Sequence, residues 1–147
     1  TRVRKKTKEI AQESGAGFIL NYGPPGIGCS AIASVTGTNL VLLVIEPSIS
    51  GLHDAKRLHE LVATFKIPVL AIINKHDLNP DVTKTVEDFL NGAGIKLIGK
   101  IPFTTKMVES MVAGKTIVEF APESTTSQEI HYIWRKITEH LGINLSA

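Results

Sequence analysis

The sequence predicts an α/β fold in which a mostly parallel sheet lies between two layers of helices. Four apolar runs of strand length recur along the chain: GFILNY (17–22), NLVLLVIE (39–46), IPVLAIIN (67–74) and IKLIGKIPF (95–103). Three of them are nearly unbroken rather than alternating, which is typical of parallel strands buried on both faces. Helical patterns separate these runs, and strands that alternate with helices favour a parallel sheet with helices on its faces.

Length and composition are those of one globular domain. The chain has 147 residues, of which 43% are hydrophobic and 20% are charged. The net charge of +2 is too small to indicate nucleic acid or an acidic membrane by itself. One cysteine excludes an internal disulfide and suits a reducing compartment. No stretch reaches the roughly 18 apolar residues of a membrane helix, and the charged start lacks the apolar core of a signal peptide, so we expect a cytoplasmic protein.

The first predicted element is a basic helix. In TRVRKKTKEIAQES (1–14), Val3 and Ile10 fall near one helical face, and basic side chains surround that face. A phosphate-binding or nucleic-acid-binding patch is one interpretation of the basic residues. We favour a solvent-exposed helix face, because Glu9 and Glu13 interleave with the basic residues and no aromatic residue accompanies them.

Apolar residues at helical spacing predict four later helices, over 51–65, 80–94, 107–112 and 130–141. Pro80 suits the first turn of one helix, and Gly142 suits the end of the last. The segment FAPESTTSQE (120–129) is interpreted as a loop that leads into the last helix.

The residues that follow the predicted strands are the candidates for function, because ligands bind at the carboxyl ends of the strands in parallel α/β sheets. The first strand is followed by GPPGIGCS (23–30), in which Gly23, Gly26 and Gly28 would let the backbone approach a ligand closely. Two prolines stiffen this loop. A ligand-binding loop and a stiff strand-to-helix turn account equally well for this composition.

The second and third strand ends carry polar side chains. Glu46 ends a buried strand, where a carboxylate requires a polar partner. In NKHD (74–77), the Asn74 amide has both a donor and an acceptor and can read the edge of a nucleobase. The Lys75 stem can lie along the base, and Asp77 can accept from its ring or amino N–H groups. The alternative is a polar turn closed by the Asn74 and Asp77 side chains.

The fourth strand ends at a proline and an aromatic residue. Pro102 breaks the strand, since it has no backbone N–H to donate. The ring of Phe103 can pack on a flat ligand ring, and the alternative is an ordinary place in the core.

Taken together, these strand ends resemble the C-terminal part of the MinD/ParA-like P-loop ATPases. The chain is most similar to the subgroup that carries an inserted ferredoxin-type iron–sulfur segment. The resemblance covers about residues 2–120 and rests on four motifs: GPPGIGC before a helix, EPSISGLHD, NKHD after a strand, and IPF followed by ESMVAGK. Each motif is modest alone, but the set occurs in the family's order and spacing.

The resemblance implies a P-loop NTPase-type fold with three α/β/α layers, of which residues 1–147 would form one partial, C-terminal domain. It places the switch segment that senses the γ-phosphate at Tyr22, Gly23, Pro24, Pro25 and Gly26. It matches Asn74 to the family's base-reading asparagine and Pro102–Phe103 to the wall of the adenine pocket. Lys75 and Asp77 are predicted to contribute to the same nucleotide site.

The resemblance also implies cofactors and partners. Family members are typically cytoplasmic, bind Mg-ATP and dimerise with the nucleotide at the interface, and the subgroup links ATP to iron–sulfur or electron handling. We therefore expect ATP and Mg²⁺ in a full-length parent, with an iron–sulfur cluster upstream of this chain. The expected partners are a second copy or the missing N-terminal part, with a redox protein as a further candidate. Neither nucleic acid nor a membrane span is expected.

Two departures from the family pattern lead us to expect no catalytic residue and no activity in this chain alone. The family's phosphate loop is absent: Gly114-Lys115-Thr116 has the right letters but follows a short helix rather than a strand. The switch aspartate is replaced by Tyr22, a phenol that is neutral at pH 7 and a poor magnesium ligand. The lone Cys29 cannot hold a cluster, so no bound metal is expected here.

The missing phosphate loop removes a strand that the family places between the strands at 17–22 and 39–46. We expect this gap in the sheet to be closed by rearranged strand pairing or by a neighbouring chain, since unpaired backbone groups are costly.

An alternative function belongs to another class, a non-catalytic binding or scaffold module that retains the fold as an interaction surface. Other sites are disfavoured by the sequence. No two histidines have metal-ligand spacing, GxSxG does not occur, and the dinucleotide fingerprint GxGxxG is missing.

Overall fold

The computed structural model describes residues 2–24 and 28–143. Its sheet has three parallel strands in the order β1-β2-β3: β1 Val41–Ile45, β2 Val69–Asn74 and β3 Lys96–Ile101. The helices are α1 Arg2–Glu13, α2 Cys29–Val35, α3 Ile49–Thr64, α4 Pro80–Gly92, α5 Thr105–Val112, α6 Ile117–Phe120 and α7 Thr125–Leu141. No described helix is long and apolar enough to cross a membrane.

Helices cover both faces of the sheet, as the sequence predicts. On one face, α3 and α4 pack on alternate residues of β1 and β2, in a buried cluster of Leu43, Ile45, Ala55, Ala71, Ile73, Val86, Leu90 and Ile95. On the other face, α7 completes a cluster of Leu70, Ile72, Ile98, Ile101, Ile133 and Ile137. Successive strand residues point to opposite faces, so nearly continuous apolar strands bury both sides. The three-layer α/β fold is therefore confirmed.

Close packing of α7 on β3 depends on a glycine. A Cβ atom at Gly99 would lie 2.5 Å from Cγ1 of Ile133 and 2.8 Å from Oε1 of Glu129. Any larger side chain would push the helix away from the strand. The small residue thus fixes how closely the α7 layer approaches the sheet.

The helix ends follow the sequence signals. Ser48 caps α3 by accepting from the Gly51 N–H, and Asn79 caps α4 by accepting from the Val82 N–H, with Pro80 in the first turn. α7 ends at Gly142 in the left-handed conformation, with φ +63°.

The loop predicted over 120–129 is shorter than expected. Ser124 caps α7, whose first residue is Thr125. A hydroxyl acceptor at this position satisfies a free N–H of the first turn, so the helix begins five residues before the apolar stripe that predicted it.

The predicted strand at 17–22 is wrong. These residues form no strand, and Leu20 and Tyr22 are 82% and 86% exposed. A strand forms only where a neighbour accepts its backbone hydrogen bonds, and in the described residues β1 pairs with β2 alone. The prediction that rearranged strand pairing closes the gap in the sheet is therefore also wrong. The apolar run is instead held by Phe18, whose ring meets Trp134 of α7 edge-to-face at 5.0 Å.

Helix α1 has the solvent-exposed charged face that its sequence favours. None of its residues is buried. Its tie to the domain is Arg4, which donates a 3.0 Å hydrogen bond from Nη1 to the Ala33 carbonyl oxygen in α2.

Candidate functional site

The ends of β2 and β3 lie side by side at the carboxyl edge of the sheet. Asn74, the last residue of β2, is in register with Ile101, the last residue of β3. The His76 N–H donates to the Ile101 carbonyl oxygen at 3.2 Å. The NKHD segment and the Pro102–Phe103 segment, predicted to form one site, therefore meet at this edge.

A carboxylate joins these two segments directly. Oδ1 of Asp77 accepts the Phe103 backbone N–H at 2.7 Å. This hydrogen bond favours the ionised form and holds the pKa of the Asp77 carboxyl below its usual value. The sequence left open whether Asp77 would contact a base or close a turn, and the structure gives it a backbone partner 26 residues away.

A second link joins the ends of β1 and β2. Nζ of Lys75 lies 3.2 Å from Oε2 of Glu46. The Glu46 side chain is 57% exposed, so the expectation that burial forces a polar partner on it is wrong. Lys75 has φ +55°, a left-handed conformation that is uncommon for residues with a side chain. Such backbone conformations are concentrated at functional sites, where surrounding contacts hold them in place.

The Asn74 amide and the Phe103 ring remain available to a ligand. Asn74 is half-buried, and within residues 2–24 and 28–143 its amide makes no hydrogen bond, whereas its neighbours Lys75 and Asp77 have partners. Phe103 is 44% exposed, so it is not an ordinary core residue. Pro102 is half-buried. The edge thus presents the Asn74 amide, which has no partner in the described residues, and the flat apolar ring of Phe103.

The sequence did not lead us to Thr83, which holds the NKHD loop through a hydrogen bond from the first turn of α4. Its hydroxyl donates to the His76 carbonyl oxygen at 2.6 Å, and only 6% of the residue is exposed. A signal was present: Thr83 lies next to Val82 in the first turn of α4, on the helix face that packs on the sheet. A hydroxyl at a buried position usually has a backbone partner.

The predicted switch segment lies apart from this arrangement. Tyr22, Gly23 and Pro24 are exposed and, among the described residues, make no hydrogen bond to the strand-end loops. A Cβ atom at Gly23 would lie 3.1 Å from Oγ of Ser34, so the segment passes close to α2. Pro25 and Gly26 fall outside the described residues.

The only Gly-Lys-Thr in the sequence is part of a helix cap. Oε2 of Glu119 accepts from both the backbone N–H and the hydroxyl of Thr116, at 2.9 Å and 2.8 Å, and these bonds lower the pKa of the Glu119 carboxyl. The ionised carboxylate occupies the donors that a phosphate would need. In this structure Thr116 of the Gly114-Lys115-Thr116 segment is the N-cap of α6.

The described residues bring together no group of three or more His, Cys, Asp or Glu side chains that could hold a metal ion. Cys29, the first residue of α2, has an exposed thiol.

Comparison with other proteins supports the architecture. No family model matches the sequence. Two uncharacterized proteins of Methanocaldococcus jannaschii are similar, one 29% identical over 119 residues and 81% of this chain, the other 25% identical over 95 residues and 65% of this chain. The chain spans only 39% and 31% of the length of these relatives.

Solved structures with the same fold come from MinD and ParA proteins. The MinD cell division protein of Aquifex aeolicus matches with a TM-score of 0.76 and 25% identity, over 97% of this chain and 60% of that protein. MinD from Pyrococcus horikoshii, solved with Mg-ADP, matches with a TM-score of 0.72 and 22% identity, over 91% and 56%. A ParA family ATPase from Chlorobium tepidum matches with a TM-score of 0.60 and 21% identity, over 74% and 47%. The chain therefore has the fold of about half of a MinD-like ATPase.

Proposed function

We propose that this chain is the base-binding, C-terminal part of a MinD-like ATPase that binds Mg-ATP and serves iron–sulfur or redox chemistry. The observation that carries the proposal is the carboxyl edge of the sheet. There the Asn74 amide, which has no partner within residues 2–24 and 28–143, and the exposed Phe103 ring lie on neighbouring strand ends. The fold shared with MinD proteins, one of them solved with Mg-ADP, supports a nucleotide as the ligand.

The two exposed groups suit an adenine ring. The amide of Asn74 can donate to a ring nitrogen and accept from the exocyclic amine, a pairing that asparagine makes with adenine elsewhere. The Phe103 ring offers an apolar surface on which a base can lie. Lys75 and Asp77 frame this site through their bonds to Glu46 and to the Phe103 N–H.

The cofactor part of the proposal rests on the resemblance of the motifs. ATP and Mg²⁺ would be bound by the longer protein, whose phosphate loop and cluster cysteines are not among these 147 residues. The chain alone would be inactive, with a cytoplasmic location. A redox protein is the proposed client.

The base site is tested by titrating adenosine into the ¹⁵N-labelled chain and following backbone amides. We expect millimolar binding, with the largest shifts near Asn74 and Phe103. Asn74→Ala should weaken binding about tenfold, because two hydrogen bonds of roughly 0.5–1.5 kcal/mol each are lost. Asn91→Ala, on the exposed surface of α4, is the control and should bind as wild type. Shifts centred away from the strand ends would contradict the proposal.

We propose a partner for the free edge of β1. In the described residues no strand pairs with the outer edge of β1. Val44 of this strand is 61% exposed, and it lies on the sheet face that α7 covers further along the sheet. An unprotected apolar edge strand is a template for pairing with another chain. The second copy of this chain, or the remaining part of a longer protein, would supply the strand that continues the sheet.

Self-association through this edge predicts a dimer or larger species by light scattering. Val44→Lys should shift the chain to monomer, because a lysine on an edge strand opposes strand pairing. Val112→Lys, at an exposed position of α5 away from the edge, should leave the oligomer unchanged. A wild-type chain that remains monomeric at high concentration would exclude the second copy as the partner.

A non-catalytic binding module of the same fold is the second candidate. The observation that favours it is Tyr22, which is 86% exposed at the position of the family's switch aspartate. Adenosine binding that depends on Asn74 would favour the ATPase part, whereas association through the β1 edge without any nucleoside binding would favour the binding module.

A further inference from the structure

We propose that Asp77 is a positioning residue, which holds the Phe103 segment against the NKHD loop rather than reading the base itself. The inference rests on the proposed base site and assigns a different role to one of its residues. A carboxylate in this place could serve either purpose, because it can accept from a base N–H as well as from a backbone N–H.

The contact that supports this role is a hydrogen bond between the side chain of Asp77 and the backbone of Phe103. Oδ1 of Asp77 lies 2.7 Å from the Phe103 nitrogen, within the short range of charge-assisted bonds. The Phe103 segment follows β3 directly. Because Pro102 has no backbone N–H, Phe103 is the first residue after β3 that can donate one. The backbone from which the exposed ring projects is therefore tied to Asp77.

The NKHD loop is itself held at three points, so it can serve as a fixed support. Lys75 pairs with Glu46, the His76 N–H donates to Ile101, and the His76 carbonyl oxygen accepts from buried Thr83. Through the hydrogen bond that it accepts from the Phe103 N–H, Asp77 links this loop to the segment after β3. Of the NKHD side chains, those of Lys75 and Asp77 have partners, whereas the Asn74 amide and the His76 imidazole make no hydrogen bond in the described residues. Because the Asn74 amide has both a donor and an acceptor, we assign base reading to it.

The link should respond to pH in a defined direction. The backbone hydrogen bond from Phe103 lowers the pKa of Asp77 from 3.8 in the folded chain. A group with a depressed pKa contributes its stabilisation above its unfolded value and loses it as the pH falls through the folded value. We therefore expect the Phe103 amide to be held at neutral pH and released only below about pH 3.8.

The first experiment follows the Phe103 amide resonance by NMR, without any nucleoside. In the wild type its shift should change as the pH is lowered from about 6 to about 2.5, with a midpoint below 3.8. Asp77→Ala should move the resonance at neutral pH and abolish the titration. Asp88→Ala, at an exposed site on α4, is the matched control. A Phe103 amide that is unaffected by Asp77→Ala would overturn the inference.

The second experiment separates positioning from base reading with adenosine, inosine and guanosine. Asp77→Ala should weaken all detectable binding by a similar factor, about three- to tenfold. Asp77→Asn should bind close to wild type in the same rank order, because the amide oxygen still accepts the Phe103 N–H. A changed rank order in Asp77→Asn would overturn the inference, since an amide in contact with the base exchanges an acceptor for a donor.

The two experiments also separate this inference from the proposed function. If no nucleoside binds the wild type while the Phe103 amide still titrates with Asp77, the proposed base site fails and the link between the two loops stands. If adenosine binds through Asn74 and the Phe103 amide resonance is unchanged in Asp77→Ala, the base site stands and the positioning role fails.

Discussion

Mg-ATP is expected to bind the 147-residue chain no more tightly than about 10 mM and to remain unhydrolysed. A phosphate loop normally supplies several backbone N–H bonds and a lysine to the charged phosphates, and hydrogen bonds to charged groups contribute roughly 1.5–3 kcal/mol each. Losing three or four such bonds removes on the order of 6 kcal/mol, a factor of about ten thousand in affinity. A parent site near ~1 μM would fall to about 10 mM.

Two lysines beside the candidate segments are poorly placed to substitute for the phosphate contacts that a phosphate loop would supply. Lys115 follows a glycine, but the donors of the adjacent Thr116 are taken by Glu119, whose negative charge would repel a phosphate. Lys75, at the proposed base site, is paired with Glu46. Adenine contacts alone give weak binding, so adenosine and Mg-ATP should bind this chain with similar affinities.

Calorimetry with Mg-ATP and a phosphate-release assay measure these two expectations. Tyr22→Asp, which introduces the aspartate that the motif resemblance would place here, should not produce binding or turnover, because the phosphates would still lack donors. A boiled sample is the control for turnover. Submillimolar binding, or release above that control, would place a phosphate site elsewhere in the chain.

The sequence predicted the part of the fold where each strand carries its own evidence. The runs that became β1 and β2 are nearly unbroken apolar stretches, each of which leads into a polar residue and a helix, and the run that became β3 ends at Pro102 before a helix. The run at 17–22 has the same composition but no neighbour, and strand formation depends on that neighbour as much as on local propensity. Composition alone could not distinguish this run from the other three.

The sequence predicted which residues form the candidate site better than it predicted which contacts these residues make. Asn74, Asp77 and Phe103 were identified because they follow buried strands, a position that sequence periodicity locates. Their pairings were not predictable, because they depend on the register of β2 against β3 and on the left-handed backbone at Lys75. Register is set by packing across the sheet, which one sequence does not reveal.

Replacing Gly51 by alanine should lower the free energy of unfolding by about 2 to 4 kcal/mol. Gly51 lies in the first turn of α3, where its N–H donates to the Ser48 cap at 2.9 Å. A Cβ atom there would overlap the backbone carbonyl oxygen of Glu46 and lie 3.0 Å from Oγ of Ser48. Since a backbone group cannot rotate away as a side chain can, the cap or the strand end must move.

The measurement is thermal or denaturant unfolding of both variants of a matched pair. Gly51→Ala should lower Tm by about 5 to 15 °C for a chain of this length. Gly92→Ala is the control, because it lies in α4 with nothing within 4 Å of its added Cβ, and alanine there should leave stability unchanged or raise it by up to about 1 kcal/mol. Because Glu46 also pairs with Lys75, Gly51→Ala should disturb amides at the end of β2, which this ion pair joins to the Glu46 segment. Equal stability of the two variants would mean that α3 does not begin against the Glu46 carbonyl.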